Sequence, residues 1–231
     1  MKLGTTNEQS RQDWVKTTLS KLPAGARILD AGAGECQYKI YCKHLNYVSQ
    51  DFSKYDGQGD KHGLQAGQWS VEEIDIVSDI SSIPQPTGSF DVVLCTEVLE
   101  HLPDPLLALK EFQRLLRQGG QLILTAPFAS LTHFAPFHYS SGFNRYFYQH
   151  HLPELGFEVV SIEVNGNFFS VLAQEIRRIP QVLQNHGKGK LYRLELYALR
   201  FFLRVLEKIS HRSQGSEELL CFGYHVVAQK V

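Results

Sequence analysis

Four carboxylates, two closely spaced glycines and three histidines are the side chains of this 231-residue sequence whose spacing could do chemistry. Asp30-Ala31-Gly32-Ala33-Gly34 puts an acid directly before two glycines with one residue between them. Such glycines let the backbone turn sharply and let a ligand approach where a Cβ would stand in the way. Asp51 and Asp79 each close an apolar stretch, and Thr96-Glu97-Val98-Leu99-Glu100-His101 follows another. An acid about 20 residues past a glycine turn can accept hydrogen bonds from both hydroxyls of a ribose. His101, His133 and His138 add imidazoles, which exchange protons near neutral pH.

These residues are far apart in sequence, so the elements between them must bring them together. Ile28-Leu29 leads into Asp30, and Tyr38, Ile40, Tyr41 and Leu45 recur three to four apart after the glycines. That pattern predicts strand, tight turn and helix, with the helix N-terminus facing an anionic end of the ligand. Tyr47 to Asp51, Ile74 to Ile80, Phe90 to Cys95 and Gln121 to Ala126 read as further strands, the third of these a buried parallel one. Asn7 to Leu22 reads as a helix with Trp14, Val15, Thr18, Leu19 and Leu22 on one side, stopped by Pro23 and Gly25. Pro105 to Leu116 is a second, with Leu106, Leu109, Phe112, Leu115 and Leu116 inward. Strands alternating with helices require a parallel sheet with right-handed crossovers, and ligands then sit at the carboxyl ends of the strands. Gly32, Asp51, Asp79 and Glu97 all fall at such ends. Phe52 to Trp69, rich in Gly, Lys, Asp and Gln, is read as a long loop with room for a short helix and no assigned role. A dinucleotide fingerprint needs a third glycine where Gln37 stands, which argues against a nicotinamide cofactor.

The Asp-x-Gly-x-Gly turn, Asp51, Asp79-Ile80 and the run from Thr96 to Pro105 agree in type, order and spacing with the motifs of class I S-adenosylmethionine (SAM) methyltransferases. The last of them closely resembles the fourth motif of the methyltransferase type 11 group. The resemblance implies an α/β, doubly wound, Rossmann-like fold. Its seven-stranded, mostly parallel sheet has the order 3-2-1-4-5-7-6, with the seventh strand antiparallel beside the fifth. It also implies methyl transfer as the activity and SAM as the cofactor. Asp30, Gly32, Ala33 and Gly34 would lie along its methionine part, Asp51 and Phe52 at the ribose, Asp79 and Ile80 at the adenine. Thr96 and Glu97 would face the transferable methyl. Cys36 stands where the motif often carries a further glycine.

On the acceptor side, Pro127 to Tyr139 is a Pro/Phe/His loop, followed by Ser141-Gly142-Phe143-Asn144-Arg145-Tyr146-Phe147 and a helix to Leu155. This resembles the His…Tyr-x-Arg-Tyr/Phe…Leu…Gly-Phe pattern of type 11 enzymes, which implies an acceptor site at His133, His138, Tyr139 and Arg145. If the acceptor is a hydroxyl, His138, His133 and His101 are the candidate bases, and His101 could instead order its turn. Phe128, Phe134 and Phe137 either plug the sheet's end or touch the acceptor. The expected acceptor is a small molecule, a hydroxylated sugar or secondary metabolite. Thr96-Glu97-Val98-Leu99 replaces the Asn-Pro-Pro-Tyr-like signature of enzymes that methylate amino groups of DNA bases or glutamine.

Phe157 to Val164 and Cys221 to Ala228 are the last two strands of what reads as one domain over 1–231, with a helical insertion at 165–220 between them. The insertion's helices are Leu172 to Leu183 and Leu191 to Ile209. The second carries Leu194, Tyr197, Ala198, Phe201, Phe202, Val205 and Leu206 as a stripe, with Lys190, Arg193, Arg200, Arg204 and Lys208 mainly elsewhere. Such a helix packs on its domain, makes a homodimer through 191–209, or lies on a membrane. Three readings follow: a soluble small-molecule methyltransferase, a membrane-surface enzyme acting on a lipid or quinone, and a non-catalytic SAM-binding partner subunit. A net charge of −1 gives no general attraction to nucleic acid. The four cysteines form no C-x-x-C pair and read as reduced, mostly buried thiols, with no metal set expected. Met1 to Asp13 is polar, and no apolar run approaches the roughly 18 residues of a membrane span, so the expected location is cytoplasmic.

Overall fold

A computed structural model of the chain describes residues 2–69 and 74–231. Its strands are β1 (Arg27–Ala31), β2 (Asn46–Asp51), β3 (Ile76–Val77), β4 (Phe90–Thr96), β5 (Leu116–Pro127), β6 (Phe157–Asn165) and β7 (Gly223–Lys230). They form one sheet of order β3-β2-β1-β4-β5-β7-β6. β1 pairs parallel with β2 and β4, β4 parallel with β5, and β5 antiparallel with β7. This is the Rossmann-like α/β topology that the sequence implies.

The central strands are apolar on both faces because both faces are covered. Ile28, Leu29, Val93, Leu94, Leu122, Ile123 and Leu124 have no exposed surface. Helix α1 (Asn7–Ser20) lays Val15 and Leu19 against Ile28, Val92, Leu94 and Ile123, in a cluster that also takes in Tyr38, Cys42 and Leu45. Each such side chain contributes about 1.5–3 kcal/mol over leaving it in water. Helix α2 (Pro105–Leu115) begins where Asp104 accepts from the N–H groups of Leu106 and Leu107 and buries Leu109, Phe112 and Leu115. Helix α3 (Arg145–Glu154) is capped in the same way by Asn144. All four cysteines are buried, and none of them forms a disulfide.

Two expected elements differ. The stretch after the glycine turn is not an α-helix: it is a chain of i→i+3 turns from Cys36 to Leu45 with a single 3-10 turn at Lys39–Tyr41. Cys36 takes the left-handed conformation, φ +54°, which no helix continues through. Turns of three residues still put Tyr38, Cys42 and Leu45 on one side, so the apolar spacing is satisfied without a helix or its N-terminal dipole. β3 is only two residues long, and Asp79 lies in the turn after it. The residue before β3, Asp75, bonds through its carboxylate to the Ser49 N–H and hydroxyl, so side-chain bonds hold this edge.

The chain divides into two compact units, residues 12–163 with 223–231, and residues 1–11 with 164–222. The first holds most of the sheet. The second holds helices α4 (Phe168–His186) and α5 (Arg193–Ser210), which pack on each other, with the N-terminal residues tied in through Arg177 to the Leu3 carbonyl and Asn165 to Asn7. α5 buries Leu203 but leaves Leu194, Tyr197, Phe201 and Phe202 exposed, from 56% to 82% of their surface. That part of the expected stripe is therefore exposed among the described residues. Among the described residues no helix is long and apolar enough to cross a membrane.

Candidate functional site

β1 runs into Gly32 (φ +75°) and Gly34 (φ +53°), the backbone region that disfavours side chains. A Cβ on Gly32 would stand 2.5 Å from a methyl of Val98, and one on Gly34 would stand 2.9 Å from the ring of Trp69. The space the glycines leave is therefore taken by protein side chains from the β4 end and the long loop. The N–H groups of Gly32 and Ala33 both donate to the Gln50 carbonyl at 2.9 Å. Gln50 is buried in β2, and its side-chain amide donates to the Ser78 carbonyl beside Asp79. It ties the ends of β1, β2 and β3 together, a role that sequence reading missed because β2 also carries Asn46, Ser49 and Asp51, among which one more polar residue gives no signal.

Asp51 ends β2 with one carboxylate oxygen on the Gly34 N–H (3.0 Å) and the other on the Ser53 N–H (2.7 Å). A carboxylate offers about four acceptor positions, so both oxygens keep capacity for a ligand's hydroxyls. Phe52 follows, edge-on to Phe137 at 5.1 Å. Asp79 is exposed and accepts from the Ser81 hydroxyl and N–H, which with Lys54 nearby hold its carboxyl below the usual range; Ile80 beside it is buried.

Asp30 lies within β1, just before the glycine turn. It is buried, takes a 2.7 Å bond from the Tyr47 hydroxyl, and burial pushes its pKa up to about 7 from the ordinary 3.8, against that hydrogen bond and with help from the Asp51 charge. A carboxyl raised on folding favours the folded state fully below its unfolded pKa and loses that contribution as pH climbs from about 4 to about 7. At 1.4 kcal/mol per unit the loss is on the order of a few kcal/mol. Asp30→Asn is therefore expected to flatten the fall in stability over this window, read as urea midpoints at several pH values. Parallel curves for the two proteins would remove Asp30 as the source.

β4 ends at Thr96, paired with Thr125. Glu97 turns the chain at φ +53°, its N–H donating to the Thr125 carbonyl (2.8 Å) and its carboxylate accepting from the Thr125 hydroxyl (2.9 Å). Glu100 is fully buried, and its carbonyl accepts the N–H groups of Tyr139 and Ser140, which folds the acceptor loop back over this turn. His101 bonds through Nδ1 to the Phe137 carbonyl, and burial, with His133 and His138 adding, pushes its pKa down to about 4. It is a neutral imidazole that orders the loop.

The structure brings the three predicted histidines together. The His133 ring lies 4.6 Å from His101 and 4.8 Å from His138, centre to centre. His138 holds the Ser130 hydroxyl at 3.1 Å, and burial lowers its pKa, with His133 adding. Phe134 stacks on His101 and meets Tyr55 and Trp69, whereas Phe128 packs on Tyr224 of β7. Residues 53–69, without a helix, are thus laced to the acceptor loop: Leu64 exchanges backbone bonds with Thr132 and Phe134, and Asp60 donates to Ala135. Tyr55, Leu64 and Trp69 had no local signal. Tyr139 is exposed, and Arg145 opens α3 half-buried. A groove of about 530 Å³ beside α1, lined by Trp14, Thr18, Gln121, Val160 and Val227, contains none of these residues.

Residues 29–124 match the family described as a methyltransferase domain. Over 121 residues, 50% of this chain, the sequence is 32% identical to the ubiquinone biosynthesis O-methyltransferase of Xanthomonas oryzae pv. oryzae (strain PXO99A), covering 48% of that protein. It is 33% identical over 124 residues to the same-named protein of Dechloromonas aromatica (strain RCB), covering 49% of it. The chain thus spans about half the length of the curated relatives it matches. Among solved structures, geranyl diphosphate methyltransferase in complex with SAM superposes with a TM-score of 0.55 at 12% identity, over 97% of this chain and 86% of that one. The [4+2]-cyclase SpnF gives 0.55 at 18%, over 98% and 83%. A putative sarcosine dimethylglycine methyltransferase from Galdieria sulphuraria gives 0.53 at 17%, over 97% and 84%. At these identities the structural likeness shows the fold alone.

Proposed function

We propose that this chain, whose residues 29–124 match the methyltransferase domain family, is a class I SAM-dependent methyltransferase of the type 11 group that moves a methyl group from SAM to a hydroxyl of a small molecule. The observation that carries the reading is one arrangement at neighbouring strand ends. The glycine turn follows β1, Asp51 ends β2, Asp79 follows β3 and Thr96-Glu97 follow β4. This donor and acceptor set fits a nucleoside: Asp51 accepts from the two ribose hydroxyls, and Asp79 accepts from the exocyclic amine. The cofactor supplies a methyl on a sulfonium; forming O–CH3 breaks S–CH3, leaves a neutral thioether, and releases the hydroxyl proton. The chain's part is to hold the acceptor oxygen about 3 Å from that methyl and in line with it. His133 and His138 are the polar groups proposed to meet the acceptor, with the aromatic seam of Phe134, Tyr55 and Trp69 limiting water.

Oxygen as the accepting atom is supported by the O-methyltransferase names of the curated relatives. A second reading, a membrane-surface enzyme for a quinone or lipid, is supported by the exposed Leu194, Tyr197, Phe201 and Phe202 of α5, on the same helix as Arg193, Arg200, Arg204 and Lys208. Because a [4+2]-cyclase shares the fold, the reaction itself needs testing. Protein incubated with methyl-labelled SAM would meet two acceptor sets: soluble phenols and sugars, and a long-chain hydroquinone in phosphatidylglycerol vesicles that are then sedimented. Label on a soluble hydroxyl, with protein in the supernatant, is expected. Transfer only in vesicles, with protein in the pellet, would replace the first reading by the second. SAM binding without transfer to any acceptor would favour a partner subunit.

A further inference from the structure

A glycine in a cofactor turn leaves its backbone bare so that a ligand can come close. At Gly34 the bare face carries the indole of Trp69. A Cβ on that glycine would stand 2.9 Å from Trp69 Cζ2 and 3.2 Å from Cη2, so the ring rests on the backbone with no room for a ligand atom between them. The loop that carries the ring fixes it there. Residues 53–69 leave from Asp51, whose carboxylate accepts from the N–H groups of both Gly34 and Ser53, and they return to the same glycine at Trp69. Between these ends the Tyr55 hydroxyl donates to Gln65 Oε1 and accepts from the Ala66 N–H, which closes the loop on itself. Tyr55 and Phe134 then hold the indole edge-on, at 5.3 and 5.4 Å between ring centres.

We propose that Trp69 is a plug in the cofactor site: its indole covers the face of Gly34 that the methionine end of SAM takes, and the cofactor binds as the indole moves off it. That this face belongs to the methionine end rests on the methyltransferase reading. A ligand that binds only one of two arrangements draws the population toward it, and its apparent affinity is reduced by the fraction of molecules already in that arrangement. An indole seated in about nine molecules of ten lowers affinity about tenfold. The ring is the part that yields. It is half-buried and held by edge contacts, whereas the turn is tied by backbone N–H groups, Gly34 to Asp51 and Gly32 and Ala33 to the Gln50 carbonyl. The movement also reaches the acceptor side. Phe134 stacks on His101 and lies 5.3 Å from His133, and Leu64 of the same loop exchanges backbone bonds with Thr132 and Phe134. Displacing Trp69 therefore shifts the packing around the proposed acceptor residues, which makes the cofactor the first ligand to bind and the acceptor the second.

The test is calorimetry with S-adenosylhomocysteine on wild type, Trp69→Ala and Trp69→Phe, with circular dichroism confirming that each is folded. Removing a ring beside a binding site ordinarily weakens binding. Here Trp69→Ala is expected to bind at least about threefold more tightly than wild type. Trp69→Phe, with a smaller ring, should fall between them, and it decides the matter if the alanine protein does not fold. Trp14 and Trp69 are the two tryptophans of the chain, so Trp14→Phe leaves a single reporter. Its emission should move to the red, and its quenching by acrylamide should rise, as S-adenosylhomocysteine saturates the protein. Variant affinities within about twofold of wild type or weaker, or an indole that becomes less accessible on binding, overturn the plug and make Trp69 a wall of the site. Those results with saturable binding sink this inference alone, whereas no binding by any of the proteins sinks the methyltransferase reading and the plug with it.

Discussion

Asp51→Ala is expected to weaken SAM and S-adenosylhomocysteine binding by tenfold or more. Hydrogen bonds to a charged group contribute about 1.5–3 kcal/mol each, and the ribose presents two hydroxyls to this carboxylate. Losing even one full bond exceeds the 1.4 kcal/mol that corresponds to tenfold. Asp51 also anchors the turn, through the Gly34 and Ser53 N–H groups. Alanine therefore removes a ligand contact and loosens the glycine turn together. Asp51→Asn separates the two effects, since its amide oxygen still accepts from one N–H while the charge is gone. Calorimetry should then rank wild type above asparagine and asparagine above alanine. Alanine binding within twofold of wild type would end the ribose assignment.

What could be read in advance divides along physical lines. Strand ends were legible because the runs closing in Asp30, Asp51 and Glu97 mark carboxyl ends directly, whereas the sheet order came from the resemblance to the methyltransferase family. The turns from Cys36 to Leu45 were misread as a helix because an apolar spacing of three to four fits both, and only backbone angles distinguish them. In α5 the periodicity found the helix but not which stripe packs; apolar spacing marks a face and is silent about what covers it. The cofactor residues lie in short motifs with local spacing. Gln50, Val98, Tyr55, Leu64 and Trp69 act across strands or loops, so no local pattern marked them. The approach of His133 to His101 and Glu100 was missed for the same reason. His133 reaches the β4 end because the acceptor loop hangs on the Glu100 carbonyl and on Leu64.

Gly32→Ala is expected to cost about 2–4 kcal/mol of stability and to abolish cofactor binding at micromolar concentrations. A φ of +75° is costly for any side chain, on the order of 1 kcal/mol. The new Cβ would also stand 2.5 and 3.0 Å from the two methyls of Val98, and overpacking of that kind costs about 1–3 kcal/mol. Relief requires moving either β1's end or the β4 turn that carries Glu97, and both belong to the proposed site. Gly34→Ala should behave differently. Its Cβ meets only the outer ring atoms of Trp69, which can swing aside, so stability falls less while the aromatic seam is displaced. A double-mutant cycle makes the argument specific: Val98→Ala, itself destabilising through lost packing, should cost less in the Gly32→Ala background than in wild type. Additive urea midpoints would mean that Val98 is not the obstacle, and that the backbone angle alone makes glycine necessary there.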